Sequence, residues 1–118
     1  MTNWVGEVSM ERRLIGKRIL VVEDDAITKV NIEYALRFAG ATIAESPTER
    51  FDAAVLDLKL GGDETAAPIA TMLTSRGIPF MFYTGYPGEA MRHRFPECVI
   101  LEKPASAAQL LKAVRMIL

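Results

Sequence analysis

Five polar side chains stand at or just beyond the ends of short apolar runs of the sequence. They are Glu23, Asp24, Asp57, Thr84 and Lys103. A carboxylate that leaves an apolar strand is costly unless it is hydrated, paired or bound to a cation. Carboxylate oxygens with room for water suit Mg²⁺, and beside Mg²⁺ and a lysine a carboxylate can stay ionised and attack phosphorus. The residue types therefore indicate magnesium-assisted phosphoryl chemistry, provided that the fold brings them together.

The apolar runs themselves are typical of strands that are covered on both faces of a parallel sheet. Four runs are nearly all apolar, and each is about as long as a strand: RILVV, AAVLDL, PFMFYT and CVILE. A fifth and weaker run, ATIAE, follows Gly40 and is expected at an edge of the sheet.

Helices are predicted between and after these strands by three sets of apolar residues at helical spacing. The sets are Ile27, Val30, Tyr34 and Phe38; Ile69, Met72 and Leu73; and Leu110, Leu111, Val114, Ile117 and Leu118. Gly40 and Gly77 predict where the first two helices end, and Ser106 with Gln109 predicts a capping box at the start of the last. The alternation of strand and helix predicts an α/β fold with a doubly wound, five-stranded parallel sheet.

This fold class decides where the polar side chains should lie. In a doubly wound sheet, ligands bind at the carboxyl ends of the strands, near the point where the strand order reverses. Acidic caps, turn threonines and solvated lysines are common one at a time, but here three carboxylates, a hydroxyl and an ammonium follow successive strands. We therefore expect all five side chains to converge on one edge of the sheet.

In these segments the chain resembles the receiver domains of response regulators, the phosphoacceptor modules of two-component signalling. The resemblance rests on ILVVEDD, AAVLDLKLGG, FYTGY and LEKP, and it covers residues 17–118, which leaves residues 1–16 as an N-terminal leader. The loop FYTGYP, with LGGDE after the acceptor, most resembles a stand-alone proteobacterial subfamily with a Phe-Ala-Thr-Gly-Tyr-like loop. The resemblance implies a flavodoxin-like strand order, 2-1-3-4-5.

The resemblance also implies a phosphoacceptor and a metal site. Asp57 would accept a phosphoryl group from a phosphohistidine on a histidine kinase or a histidine phosphotransfer protein. Glu23 and Asp24 match the acidic pair that helps to hold Mg²⁺, together with Asp57 and the backbone carbonyl of Lys59. Asp25 lies one place beyond the pair and is expected to cap the first helix.

Three further positions match residues around the acceptor of the family. Lys103 matches the lysine that contacts the phosphoryl oxygens, and Thr84 matches the hydroxyl that turns in to bind them. Pro104 matches a proline that family members hold in a cis peptide.

One position departs from the pattern that reports phosphorylation to partners. Many receivers carry an aromatic residue three places before the lysine, where this chain has Ile100. A β-branched aliphatic side chain cannot reproduce the inward rotation of an aromatic ring. Tyr83 or Tyr86, which flank the loop threonine, are therefore candidates for the switch, and simple packing is the alternative for both.

A second departure lies between the second and third strands. The family has a helix there, whereas this chain has only SPTERFD, seven residues. A crossover through a helix needs at least about 10–12 residues, so the second helix is predicted to be missing. We expect an open apolar face bounded by the first and third strands, covered by the leader or, preferably, by a second copy in a homodimer. The alternative is a slightly open monomer whose shortened connection and remaining helices shift to close the gap.

Composition narrows the classes of protein. The chain has 118 residues, half of them hydrophobic, and a net charge of −1, which suits one domain and gives no electrostatic reason to expect nucleic acid or a membrane as partner. Cys98 is the only cysteine, which fits a reducing cytosol and a small core residue, and His93 has no second histidine or nearby cysteine to share a metal. A cytoplasmic location is expected.

The sequence thus predicts a bacterial single-domain response regulator, a phosphoprotein of a two-component phosphorelay that binds a partner or drains phosphoryl groups from a kinase. It would be no enzyme beyond catalysing its own phosphorylation and dephosphorylation. One alternative is a degenerate receiver that serves as an unphosphorylated scaffold. Another is a magnesium-dependent phosphohydrolase with an aspartyl-phosphate intermediate, but such enzymes carry a second aspartate where this chain has Lys59.

Overall fold

The computed structural model describes residues 13–59, 65–85 and 89–118, which form a five-stranded parallel sheet with helices on both faces. The elements are β1 Arg18–Val22, α1 Ala26–Phe38, β2 Thr42–Ala44, β3 Ala53–Leu56, α2 Ala67–Arg76, β4 Phe80–Thr84, α3 Glu89–Arg94, β5 Val99–Glu102 and α4 Ala107–Ile117. The strand order is β2-β1-β3-β4-β5. The predicted fold class and strand order are confirmed.

Strand β3 lies at the centre of the sheet, and its four residues are all buried. Two core clusters cover the two faces. The first contains residues of α1 and α4, and the second contains residues of α2. A strand covered on both sides cannot expose a polar side chain along its length, so its polar residues are confined to its ends.

Three of the predicted helix caps are confirmed. The Asp25 side chain accepts a hydrogen bond from the backbone N–H of Thr28, as expected for the cap of α1. Ser106 and Gln109 form the capping box at the start of α4. Gly77 ends α2 at a φ of 69°, a left-handed conformation that glycine adopts without a Cβ penalty.

The first helix exposes the apolar residues that predicted it. Ile27, Val30, Tyr34 and Phe38 all lie on the solvent side of α1, with relative exposures of 57–74%. The residues of α1 that face the sheet are smaller on average: Ile32, Ala35 and Leu36. The helix is confirmed, and its larger apolar stripe remains uncovered among the described residues. We call these four exposed residues the α1 stripe.

The connection from β2 to β3, residues 45–52, contains no helix, as predicted. We call it the crossover loop. Backbone and side-chain bonds fix it to the first residue of β1: Arg18 N donates to Asp52 Oδ2 at 2.8 Å, and the Arg18 guanidinium lies 3.8 Å from Glu49 Oε1. The crossover is therefore short but anchored.

The expected open face beside β1 and β3 is not observed. Leu20 and Leu56, which belong to those strands, are 3% and 0% exposed in the second core cluster. Phe51 of the crossover loop is 7% exposed in the same cluster, so one aromatic side chain of the loop contributes to covering this face. The physical argument for a homodimer across this face is correspondingly removed.

Two regions show features that the sequence analysis did not predict, and residues 1–12 of the leader lie outside the described residues. Leu14, assigned to the leader, is 1% exposed in the first core cluster, and its N–H bonds to the carbonyl of Ala39. Helix α3 was not predicted, because its residues carry no apolar period.

Cys98 is half-buried against the second core cluster. None of the helices formed by the described residues has the length and apolar character needed to cross a membrane.

Candidate functional site

Three carboxylates meet at the carboxyl edge of the sheet. Glu23 and Asp24 follow β1, and Asp57 follows β3, whose last residues Val22 and Leu56 are register partners. One carboxylate oxygen of each acidic residue lies within 4.8 Å of the others. Glu23 and Asp57 are each 8% exposed, whereas Asp24 is exposed. The predicted convergence of these three residues is therefore present in the structure.

Lys103 joins the acidic cluster from the end of β5. Its Nζ lies 2.5 Å from Glu23 Oε1 and 3.0 Å from Asp57 Oδ2. The N–H of Lys59 also points at Asp57, with its nitrogen 3.4 Å from Oδ1. One ammonium thus bridges two carboxylates that follow different strands, and the third carboxylate, Asp24, is exposed to solvent.

The pKa values of the bridged groups reflect burial and pairing. Burial raises the pKa of Glu23, and the hydrogen bonds from Lys103 and from the Asp25 N–H offset part of that rise. Burial lowers the pKa of Lys103, but its hydrogen bonds to Glu23 and Asp57 outweigh this effect and raise the pKa overall. Lys103 therefore stays a cation at neutral pH.

Thr84 and Pro104 complete the edge. Thr84 is the last residue of β4 and is 1% exposed. Its carbonyl accepts a hydrogen bond from the Lys103 N–H at 2.9 Å. The peptide bond between Lys103 and Pro104 is cis, as the sequence predicted.

The switch candidates lie on different sides of the sheet. Ile100 packs against the second core cluster, whereas Tyr83 belongs to the first. Tyr86 lies outside the described residues. The sequence did not predict that the Tyr83 hydroxyl would accept a hydrogen bond from the Ala105 N–H at 3.1 Å, nor that the Tyr83 ring would lie 5.6 Å from Lys103 Nζ. The only sequence signal was an aromatic residue next to the loop threonine.

The donor set suits a hard divalent cation. Carboxylate oxygens are the preferred ligands of Mg²⁺, and three of them converge here with one carboxylate open to water. Asp25 is not part of this set, because its side chain bonds to Thr28 and hydrogen bonding lowers the pKa of its carboxyl group. Glu23, Asp24 and Asp57 therefore fit a magnesium site.

Solved structures similar in fold to this chain include receiver domains. SdrG from Sphingomonas melonis Fr1 is 29% identical over 86% of this chain and 95% of that chain, with a TM-score of 0.71. The non-phosphorylated HemR receiver domain from Leptospira biflexa is 25% identical over 86% and 93%, with a TM-score of 0.74. The receiver domain of the sensor histidine kinase PA1611 from Pseudomonas aeruginosa PAO1, with a magnesium ion coordinated in its active-site cleft, is 21% identical over 86% and 97%, with a TM-score of 0.71. No protein-family model and no curated protein matches the chain.

Proposed function

We propose, because the chain has the receiver fold of response regulators, that Asp57 accepts a phosphoryl group from a phosphohistidine donor. The observation that carries this proposal is the bridge from Lys103 to Glu23 and Asp57 at the carboxyl edge of the sheet. The bridge places a cation beside Asp57 and engages only one of its two carboxylate oxygens. The stand-alone subfamily suggested by the sequence stays a prediction.

The residues of this site have separable roles in such a transfer. An oxygen of Asp57 forms the bond to phosphorus while the phosphorus–nitrogen bond of the donor breaks, and the imidazole takes up a proton as it leaves. Lys103 and Thr84 stabilise the charge on the transferred oxygens. Mg²⁺, held by Glu23, Asp24, Asp57 and the Lys59 carbonyl, would neutralise further negative charge on the phosphoryl group.

Labelling by acetyl phosphate tests the acceptor without a kinase. With Mg²⁺ present, the wild type should be labelled, and Asp57→Asn should not, since the amide keeps the shape of the side chain but is no nucleophile. Asp25→Asn is the matched control and should be labelled normally, because asparagine is as good a helix cap as aspartate. Labelling of Asp57→Asn at the wild-type level, or an unlabelled wild type, would contradict the proposal.

Calorimetric titration with Mg²⁺ tests the metal assignment with the same pair of neighbours. Asp24→Asn should weaken Mg²⁺ binding at least tenfold, because it removes a ligand charge from the cluster. Asp25→Asn should change the affinity less than twofold, because Asp25 caps α1. The reverse order would show that the acidic pair is misassigned by one residue.

The α1 stripe is the surface proposed to receive the phosphodonor protein. Helix α1 begins directly after Asp25, beside the acidic cluster, and Ile27 of its first turn is 74% exposed. A protein that delivers a phosphoryl group to Asp57 must cover this edge, and burying the stripe would stabilise the complex at about 25 cal/mol per Å². We propose a histidine kinase or a phosphotransfer protein as this partner, and the cytoplasm as the location of the reaction.

A ratio of two labelling rates isolates this surface. Val30→Ser should lower kinase-driven labelling relative to labelling by acetyl phosphate by about tenfold, since roughly 1.4 kcal/mol of binding is a factor of ten. Met116→Ser is the control, because Met116 is 68% exposed on α4 and lies outside the stripe. Equal ratios for the two variants would remove the stripe from the interface.

The two alternative functions, an interaction scaffold and a phosphohydrolase, predict different results in these assays. An interaction scaffold would not be labelled by acetyl phosphate, although the intact acidic cluster and Lys103 give no chemical reason for this. A phosphohydrolase would turn over phosphate esters, yet the exposed Lys59 stands where such enzymes carry their acid–base aspartate. The labelled phosphoprotein is therefore the favoured outcome.

A further inference from the structure

Tyr83 connects the end of β4 to the turn that carries Lys103. It is 8% exposed and pairs with Leu101 across the sheet, with its side chain in the first core cluster. Its hydroxyl accepts a hydrogen bond from the Ala105 N–H at 3.1 Å, and its ring centroid lies 5.6 Å from Lys103 Nζ. A single side chain thus contacts both the backbone after Lys103 and the ammonium itself.

The backbone N–H groups of residues 103–106 are fully accounted for. The Lys103 N–H bonds to the Thr84 carbonyl, and the Ser106 N–H bonds to the Gln109 side chain. Pro104 has no N–H, which leaves Ala105 as the one donor in this turn whose partner is a side chain from the core. Removing the tyrosine hydroxyl would leave this N–H without its acceptor.

A cavity beside the turn leaves the Lys103 side chain room to move, so its position depends on its contacts with Tyr83 and the two carboxylates. A cavity of about 310 Å³ lies between α1 and the start of α4, and Tyr83, Lys103 and Ala105 are among its lining residues. The Lys103 side chain, at 22% exposure, therefore borders a volume into which it could turn away from Asp57. A cation over an aromatic face is attracted to the ring, and this attraction opposes that rotation.

We propose that Tyr83 is the positioning residue for Lys103: its hydroxyl fixes the turn at Ala105, and its ring holds the ammonium toward Glu23 and Asp57. This inference rests on the proposed phosphoacceptor function for its consequence, but not for its geometry. Tyr83 acts only through Lys103 and does not touch the transferred group. A residue that merely fills the core would need the ring and not the hydroxyl, so Tyr83→Phe separates the two roles.

The first experiment observes Lys103 directly, without phosphorylation. Ammonium protons held in hydrogen bonds exchange slowly with water, so nuclear magnetic resonance of ¹⁵N-labelled full-length chain should show a Lys103 ammonium signal, assigned by its loss in Lys103→Arg. Tyr83→Phe should accelerate its proton exchange at least fivefold. Val114→Ala, which removes two buried methyl groups of the same core cluster, should leave it unchanged. Equal exchange in the wild type and Tyr83→Phe would overturn the proposal, as would a wild type without the signal.

The second experiment measures the consequence at saturating acetyl phosphate. Tyr83→Phe should lower the maximal labelling rate about fivefold, with the half-saturating Mg²⁺ concentration unchanged because the three carboxylates remain. In a Lys103→Ala background the same substitution should change the rate less than 1.5-fold, since double-mutant cycles isolate effects that pass through one partner. Equal fold-losses in both backgrounds would overturn the positioning role. An unlabelled wild type with a slowly exchanging Lys103 ammonium would instead contradict the phosphoacceptor function alone.

Discussion

The large apolar residues that predicted helix α1 are exposed, whereas the aromatic residue of the crossover loop is buried. The helix carries the four large apolar residues of the α1 stripe and exposes all of them, whereas the loop carries Phe51 and buries it to 7% exposure. The periodic set of large residues in α1 was therefore not the buried set, and the absence of a period in the loop did not prevent burial. Burial depends on where the backbone passes relative to the sheet.

The helix shows why the periodic reading was incomplete. Two apolar stripes run along α1, and the buried one comprises Ile32, Ala35, Leu36 and Ala39, the last being the residue that ends the helix. This spacing of three, one and three also fits a helix face. Because alanine contributes little to an apolar pattern, the larger outward residues dominate the sequence signal, although the smaller ones permit close packing on the sheet.

Removing the loop aromatic should produce the largest loss of stability. Phe51→Ala deletes a side chain that packs in the second core cluster, which also contains Leu20 and Ala44. We expect the free energy of unfolding to fall by about 3–5 kcal/mol, the usual cost of a buried phenylalanine. Urea unfolding followed by circular dichroism measures the change. A loss below roughly 1 kcal/mol would mean that the loop does not take over the covering role of a helix.

Releasing the anchor of the loop should have an intermediate effect. Asp52→Ala removes the acceptor of the Arg18 N–H, and because this bond is exposed to water, no more than about 1 kcal/mol should be lost. The same unfolding experiment applies. Arg18→Ala, which keeps the Arg18 N–H and removes the guanidinium of the ion pair at 3.8 Å, is the control and should cost less than about 0.5 kcal/mol. Equal costs for both variants would argue against the backbone bond as the anchor.

Truncation of the α1 stripe should barely change stability. Phe38→Ala removes an exposed ring that stacks on Tyr34 at a centroid distance of 6.5 Å, and exposed substitutions stay within about 0.5 kcal/mol. The contrast with Phe51→Ala is the sharpest test of the comparison, since both variants lose the same side chain. A loss for Phe38→Ala that approaches the loss for Phe51→Ala would mean that the stripe is covered in solution.

The last prediction involves no substitution and no change of stability, and it concerns the reactivity of one thiol. Cys98 packs against the second core cluster, and burial raises the pKa of its thiol from 9.0 to about 11. Only the thiolate reacts, and the higher pKa of Cys98 lowers its thiolate fraction at pH 8. Its alkylation should therefore be about 100-fold slower than that of an ordinary thiol. Iodoacetamide labelling followed by mass spectrometry measures this rate. Labelling as fast as in unfolded protein would show that the cluster opens readily at this point.

The site could be predicted largely from the sequence because strand ends are local features. Apolar runs of strand length ended at Glu23, Asp57 and Thr84, and parallel pairing alone brings such ends to one edge. The Tyr83 contact to Ala105 could not be predicted in this way, since it joins residues 22 positions apart and depends on how one side chain fills the first core cluster. The same limit applies to Phe51, whose isolated position in the loop gave no periodic signal.

The anchored crossover loop also bears on how the sheet opens. Edge strands are often the first parts of a protein to detach in local unfolding, and β2 is an edge strand of only three residues. The loop that follows β2 is held by the first residue of β1 through Asp52 and Glu49. Detachment of β2 therefore strains contacts at the base of β1, next to the central strand. We therefore expect the shortened crossover to couple the opening of β2 to the loop and to the start of β1.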